Sequence, residues 1–118
     1  MSEEREISAS RVAELLERGE AELVDVRTQE ERDAGRIRGS RHVPIDSLSA
    51  EADSLNASKT LVLYCRSGDR SGGAADAFAA SGREARSLAG GLLAWVEEGR
   101  PIEPEDGEVG HPSGLPPV

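Results

Sequence analysis

The chain has 118 residues, of which 36% are hydrophobic and 31% charged, and its formal net charge is −9. This length suits one domain with a modest hydrophobic core. A surface with so much negative charge disfavours binding to nucleic acids and to anionic membranes, because both require basic contacts.

The first third of the chain predicts two units of strand followed by helix. A brief strand at residues 7–8 precedes a helix over residues 9–18, in which apolar side chains recur at helical spacing. A second strand, residues 22–26, is β-branched and largely apolar, as expected of a buried strand. Thr28 and Glu31 then have the spacing of a capping box, which predicts that a short helix follows.

The rest of the domain continues this alternation of strands and helices. The strand over residues 60–64 is the clearest in the chain, since it is apolar on both faces as a central parallel strand should be. The other predicted elements are strands around His42 and at residues 85–88, and helices over residues 48–55, 71–80 and 92–98. The alternation predicts an α/β fold, in which a small parallel sheet is flanked by helices on both faces.

The segments outside these elements bear on domain boundaries and location. The composition changes to Pro, Gly and Glu from Pro101 onward, so we expect residues 1–102 to form the domain and residues 103–118 to form an extended or disordered acidic tail. No stretch is apolar and long enough to cross a bilayer, and the N-terminus lacks the features of a signal peptide. These absences predict a cytoplasmic protein.

Cys65 is the only cysteine, and it lies where the clearest strand ends and a helix is about to begin. Ligands of open α/β sheets bind at the carboxyl ends of strands, and a tight loop entering a helix directs several backbone N–H groups at one point. Gly68 gives the backbone the freedom that such a turn requires. A thiolate is stabilised in this setting, with Arg66 and Arg70 adding to the effect and Asp69 opposing it. The loop therefore predicts that Cys65 is a nucleophile.

A lone cysteine can also be an inert core residue, which is the simpler interpretation. The residues that follow Cys65 are arginine, serine, glycine and aspartate, however, and these do not form an apolar pocket. A single cysteine also excludes a disulfide within the chain and a multi-cysteine zinc site. His42 and His111, the only histidines, have no partners at metal-ligand spacing, so no metal site is expected.

Four short motifs, in the same order along the chain, resemble the signatures of the single-domain rhodanese family. The run Cys-Arg-Ser-Gly-Asp-Arg-Ser at residues 65–71, the Cys65 loop, is similar to the active-site loop of that family. The other motifs are Leu-Val-Asp-Val-Arg at residues 23–27, Gly-Arg-Ile-Arg-Gly-Ser at residues 35–40, and Gly-Gly at residues 90–91 followed by Trp95. The motif at residues 35–40 departs from the family pattern, since Arg36 and Arg38 stand where His and Pro are usual. The resemblance covers residues 7–101.

The resemblance implies a rhodanese-like fold and a sulfurtransferase that carries sulfur as a persulfide on Cys65. A donor such as thiosulfate, or the persulfide of a cysteine desulfurase, gives its outer sulfur to Cys65, and the acceptor is cyanide, a thiol or a sulfur-carrier protein. The loop residues implied to bind the substrate are Arg66, Ser67, Gly68, Asp69, Arg70 and Ser71. No metal or organic cofactor is implied.

Asp25 and Arg27 are candidates for supporting residues. They end the first buried strand, whose carboxyl end is predicted to lie at the same sheet edge as Cys65. We favour a structural ion pair that fixes loops over a catalytic role. Gly90 and Gly91 are expected to allow a tight turn and a close backbone approach to the Cys65 loop.

Two rival functions share parts of this pattern. A cysteine-dependent phosphatase or arsenate reductase also holds an anion in a loop between strand and helix. Its arginine follows the cysteine after five intervening residues, where this chain has Ser71, and Arg70 falls one position short. Such enzymes usually carry His before the cysteine, where this chain has Tyr64. The other rival is a rhodanese-like module that only binds or regulates a partner, and such modules often lack the cysteine that this chain keeps.

Overall fold

A computed structural model describes residues 5–55 and 58–110 of the chain. Its strands are β1 (Glu6–Ile7), β2 (Ala21–Asp25), β3 (Arg41–His42), β4 (Thr60–Tyr64) and β5 (Arg86–Leu88). Its α-helices are α1 (Ala9–Glu17), α2 (Gln29–Ala34), α3 (Leu48–Glu51), α4 (Asp69–Ala80) and α5 (Gly91–Glu97), with 3₁₀ turns at Ile45–Ser47 and Ala52–Ser54. The strands pair in parallel, in the order β1-β5-β4-β2-β3. None of the helices in this part of the chain has the length and hydropathy needed to span a membrane.

Strand β4 occupies the middle of the sheet because both of its faces are apolar. Leu61, Leu63 and the following Cys65 belong to one buried cluster, whereas Val62 and Tyr64 belong to the other. Helices α3 and α4 cover the first face of the sheet, and helices α1 and α5 cover the second. The predicted α/β fold with helices on both faces is confirmed. Because side chains alternate along a strand, this register directs Cys65 toward α4.

The structure differs from the predicted elements mainly around two helices. Helix α4 begins at Asp69, two residues before the predicted start, which moves Asp69 and Arg70 from the loop into the first helical turn. The reason is Gly68, whose φ of 106° turns the chain through the left-handed region and lets the helix begin at once. The helix predicted over residues 48–55 is a single α-turn between two 3₁₀ turns. No side chain caps the N-terminus of any of these three turns, so the start of a longer regular helix is not supported there.

Asp25 and Arg27 form an ion pair at the carboxyl end of β2, and both side chains are fully buried. The Arg27 guanidinium donates to the two carboxylate oxygens of Asp25 at 2.8 and 2.7 Å, and to the carbonyls of Gly35 and Val109 at 2.6 and 2.7 Å. Burial alone would lower the pKa of Arg27, but the Asp25 carboxylate outweighs it and the pKa is raised. Two buried charges thus compensate each other, and Arg27 ties β2 to two distant segments.

Tyr64, the last residue of β4, holds the motif at residues 35–40 against the end of the sheet. Its hydroxyl accepts a hydrogen bond from the Ile37 backbone N–H at 3.1 Å and lies 3.0 Å from the Ser40 hydroxyl. Burial and the nearby Asp25 carboxylate raise the pKa of Tyr64, so the hydroxyl keeps its proton. Tyr64 therefore helps to hold the motif at residues 35–40, which makes no hydrogen bond to the Cys65 loop within the described residues.

The described part of the predicted tail, residues 103–110, packs against the domain. The backbone N–H and C=O of Glu103 pair with those of Arg36 at 2.7 and 2.9 Å, and the Glu103 carboxylate binds the Arg38 side chain at 2.9 Å. Val109 packs on the buried cluster beneath α1 and α5. The two arginines that depart from the family pattern both contact this segment. The rest of the predicted tail lies outside the described residues.

Replacing Asp25 with alanine leaves the buried Arg27 charge without its partner. We expect the free energy of unfolding, measured by urea denaturation, to fall by about 3–5 kcal/mol, while Cys65 alkylation per folded molecule changes little. The matched control is Asp76→Ala, which removes an exposed pair with Arg5 at 2.8 Å and should cost about 0–1 kcal/mol. Unchanged stability with a collapse of Cys65 reactivity would instead make Asp25 part of the active site.

Candidate active site

Cys65 directly follows β4 and begins the loop that leads into α4. The carboxyl ends of β2, β4 and β5 meet at this edge because the three strands are parallel neighbours. The Cys65 loop therefore lies between the Asp25–Arg27 pair on one side and the start of α5 on the other. The thiol is almost fully covered, since Cys65 exposes 1% of its surface.

Backbone N–H groups converge on the Cys65 sulfur. The Gly68 N–H donates to Sγ at an N–S distance of 3.1 Å, and the Ser71 N–H donates at 3.4 Å. Both amides belong to the turn that enters α4, where the positive end of the helix dipole adds to their effect. N–H groups directed at a sulfur stabilise its anionic form. The structure thus brings two of the predicted loop residues, Gly68 and Ser71, into contact with the thiol.

A pair of buried hydroxyls also lies beside the thiol. Ser71 Oγ is 3.5 Å from Cys65 Sγ and 2.7 Å from Ser87 Oγ, and both serines are fully buried. Ser87 belongs to β5 and was not predicted from the sequence as a site residue. A polar side chain within a strand that is otherwise buried is the signal that could have identified it, because such groups need a buried partner.

Helix α5 fixes the Cys65 loop from the other side. The N–H groups of Leu92 and Leu93 donate to the carbonyls of Cys65 and Arg66 at 2.9 and 3.0 Å. The same two peptide units carry the N–H groups of Arg66 and Ser67. These face away from α5, because the C=O and N–H of a trans peptide point in opposite directions. Gly91 permits this contact, since a Cβ there would lie 2.5 Å from the Arg66 carbonyl oxygen and 2.6 Å from that of Cys65.

Arg66 is positioned by the segment at residues 103–110. Its Nε donates to the Gly110 carbonyl at 3.0 Å. Neither of its terminal Nη groups has a hydrogen-bond acceptor among residues 5–55 and 58–110. Within the described residues, the side chain of Arg66 is thus held in place while its two terminal NH2 groups face no acceptor.

Arg70 is committed to a carboxylate instead. Its two terminal nitrogens donate to the carboxylate oxygens of Glu31 in α2 at 2.9 and 2.8 Å. Glu31 is fully buried and also closes the predicted capping box, which is confirmed, by accepting from the Thr28 N–H at 3.0 Å. Burial alone would raise the pKa of Glu31, but the hydrogen bonds from Arg70 and Thr28 outweigh it and lower that pKa. The role of Glu31 at the loop was missed, because the capping box already accounted for its side chain.

The charge of Arg70 still acts on the thiol. Hydrogen bonding to Glu31 raises the pKa of Arg70 against the opposing effect of burial, and the negative charge of a Cys65 thiolate adds to the rise. Ser67 and Asp69 are exposed, and their side chains make no hydrogen bond within the described part of the chain. The predicted loop residues therefore divide into those at the sulfur, those that flank it and those at the surface.

The supporting residues lie outside the immediate surroundings of the thiol. Among the residues that the structure describes, Asp25 and Arg27 make no hydrogen bond to Cys65. His42 Nε2 lies 2.8 Å from the Arg27 carbonyl oxygen, which fixes the histidine next to the ion pair. Within residues 5–55 and 58–110, no group of three His, Cys, Asp or Glu side chains is arranged to hold a metal ion.

Replacing Gly91 with alanine places a methyl group against the carbonyls of Cys65 and Arg66. The loop and α5 must then separate, and we expect the rate of Cys65 alkylation by iodoacetamide at neutral pH to fall about tenfold. The matched control is Gly99→Ala, since Gly99 shares the left-handed backbone with φ of 78° but has no atom within 4 Å of the added Cβ. An equal loss in both variants would trace the effect to backbone strain and not to this contact.

Replacing Glu31 with glutamine removes the charge that Arg70 binds. At neutral pH we expect the free energy of unfolding to fall by about 2 kcal/mol, because charged hydrogen bonds are lost. The pKa of Glu31 in the folded protein lies below its ordinary value of 4.5, so the wild-type advantage is full above that pH and is lost as pH falls through the lower folded-state pKa.

Urea denaturation of Glu31→Gln and wild-type protein across acidic and neutral pH tests this expectation. The control is Glu17→Gln, because Glu17 is exposed and has no ion pair in the described part of the chain. That variant should stay within about 0.5 kcal/mol of wild type. A stability difference for Glu31→Gln that does not change with pH would contradict the assignment of the Glu31 charge to Arg70.

Comparisons with known proteins identify the family of the chain. A family model described as the rhodanese-like domain matches residues 8–98. The chain is 41% identical over 105 residues to the HTH-type transcriptional regulator Rv0324 of Mycobacterium tuberculosis, covering 84% of this chain but only 46% of the regulator. It is 32% identical over 98 residues to the putative sulfurtransferase YtwF of Bacillus subtilis, covering 82% of this chain and 95% of that protein.

A solved structure gives the same result for the fold. The crystal structure of a rhodanese-related protein from Thermoplasma volcanium superposes with a TM-score of 0.76 at 29% identity, covering 84% of this chain and 97% of that one. The family model spans most of the chain, including β2, the Cys65 loop and α5. The chain therefore belongs to the rhodanese-like domain family.

Proposed function

We propose that the protein is a sulfurtransferase that carries sulfane sulfur as a persulfide on Cys65. The observation that carries the proposal is the convergence of the Gly68 and Ser71 N–H groups on Cys65 Sγ. Donors arranged in advance around a reacting atom stabilise the charge that develops on it. The name of the Bacillus subtilis relative, a putative sulfurtransferase, supports the same class of reaction.

The proposed reaction has two displacement steps at sulfur. The Cys65 thiolate attacks the outer sulfur of the donor, a new S–S bond forms, and the donor leaves with the electron pair of its broken bond. With thiosulfate the leaving group is sulfite. An acceptor nucleophile then attacks the outer sulfur of the persulfide, and the electron pair of the broken S–S bond returns to Cys65 as thiolate.

Two classes of donor suit this site. Thiosulfate is a small anion, and the terminal nitrogens of Arg66, which have no acceptor in the described part of the chain, could bind it as charged donors. A protein persulfide, such as that of a cysteine desulfurase, is the macromolecular alternative, with a sulfur-carrier protein, a thiol or cyanide as acceptor. Because the thiol is covered, the reacting sulfur has to enter the loop at the end of a narrow group.

A cysteine-dependent phosphatase or arsenate reductase is less consistent with the geometry. Those enzymes need an arginine whose two terminal nitrogens clamp a tetrahedral oxyanion. In this loop both terminal nitrogens of Arg70 bind Glu31. The position at which those enzymes carry their arginine is occupied here by Ser71, a buried serine. The donors at the sulfur are better matched to a single sulfur atom.

A binding or regulatory module is the second candidate function. The observation that favours it is the 41% identity to a protein named a transcriptional regulator, of which the chain spans 46%. Such a module would need no reactive thiol. The two candidates therefore differ in whether Cys65 takes up sulfur.

Intact-protein mass after incubation with thiosulfate tests the proposal. We expect a gain of one sulfur atom that is removed by cyanide, because the thiolate displaces sulfite from the donor. Cys65→Ser is the control and should gain nothing. If the thiol is free and reduced, and neither thiosulfate nor a desulfurase-generated persulfide adds sulfur, the sulfurtransferase proposal is wrong and the binding module is favoured.

A further inference from the structure

Ser87 is a buried polar residue in β5 that lies next to the reactive loop. Its side chain has one hydrogen-bond partner in the described part of the chain, the Ser71 hydroxyl at 2.7 Å. The Ser71 hydroxyl in turn lies 3.5 Å from Cys65 Sγ and 3.4 Å from the Gly68 carbonyl oxygen. These contacts form a continuous path from β5 to the sulfur.

The number of hydroxyl protons decides the direction of these hydrogen bonds. Each serine hydroxyl can donate one. If Ser71 donated to Ser87, the Ser87 proton would have no acceptor among the residues that the structure describes. If Ser87 donates to Ser71, the Ser71 proton turns to Cys65 Sγ or to the Gly68 carbonyl, and both protons are used. A buried donor without an acceptor is costly, so the second arrangement is favoured.

We propose that Ser87 is a positioning residue, which directs the Ser71 hydroxyl proton toward the Cys65 thiolate. A hydroxyl that accepts a hydrogen bond is polarised and becomes a stronger donor, so Ser87 also strengthens the bond that Ser71 makes. Ser87 itself does not touch the sulfur and acts only through Ser71.

This arrangement has a consequence for sulfur transfer, which rests on the proposed function. When an acceptor attacks the outer sulfur of the persulfide, the S–S bond breaks and its electron pair returns to Cys65 Sγ. Negative charge therefore appears on Sγ, where the Ser71 proton points. While the persulfide exists, its charge is on the outer sulfur, and the Ser71 proton can turn to the Gly68 carbonyl. Loss of Ser87 should slow the discharge of the persulfide.

The pH dependence of Cys65 alkylation by iodoacetamide tests the positioning role without any sulfur donor. In Ser87→Ala we expect the midpoint of the rate profile to rise by about half a pH unit. At a pH below the midpoint, the fraction of Cys65 present as thiolate is then about threefold smaller. In Ser71→Ala the donor itself is lost, and the midpoint should rise by about one unit. The double variant should match Ser71→Ala, because Ser87 acts through Ser71.

Ser40→Ala is the matched control. Ser40 is also a buried serine, but its hydroxyl binds the Ile37 carbonyl and Tyr64, and its loss should leave the profile unchanged. Thermal unfolding shows whether each variant is folded. If Ser87→Ala does not fold, Ser87→Gly is the second variant that removes the same hydroxyl. A wild-type profile in the folded Ser87 variants, or shifts that add in the double variant, would overturn the proposal. Alkylation needs no persulfide, so this outcome is independent of whether Cys65 carries sulfur.

Discussion

Two backbone hydrogen bonds from α5 fix the conformation of the Cys65 loop. The N–H groups of Leu92 and Leu93 donate to the carbonyls of Cys65 and Arg66. They require the close approach that Gly91 permits, because any side chain there would meet the loop backbone. The loop then turns into α4, where the N–H groups of Gly68 and Ser71 donate to Cys65 Sγ. The proposed stabilisation of a sulfur anion would thus depend first on backbone geometry and only then on side chains.

Charge around the loop is arranged in fixed pairs. Arg27 binds the buried carboxylate of Asp25, and Arg70 binds that of Glu31. Buried ion pairs add little net stability but are costly to break, so both pairs serve as rigid supports for the loops that carry them. Arg66 differs, since its side chain binds a backbone carbonyl and, within the described residues, no carboxylate. Under the proposed function, Arg66 is therefore the arginine of the loop that would bind an anionic sulfur donor.

Local patterns were sufficient to predict the order of the elements, the position of the Cys65 loop and the capping box at Thr28. These features depend on residues close together in the chain, as with the apolar strand that ends at Tyr64. The pairing of Arg70 with Glu31 and of Ser71 with Ser87 could not be predicted, because it depends on how strands and helices pack at one edge of the sheet. For the same reason, composition predicted a tail where residues 103–110 pack on the domain and hold Arg66.

The proposed function requires that backbone N–H groups of the Cys65 loop hold a sulfur atom bonded to Cys65. A crystal structure of the protein after reaction with thiosulfate tests it most directly. We expect one additional sulfur at bonding distance from Cys65 Sγ, with backbone N–H groups of the loop at N–S distances like the 3.1 and 3.4 Å seen at Sγ itself. An unmodified thiol with an intact anion bound elsewhere, or an added sulfur that points away from the amides, would contradict it.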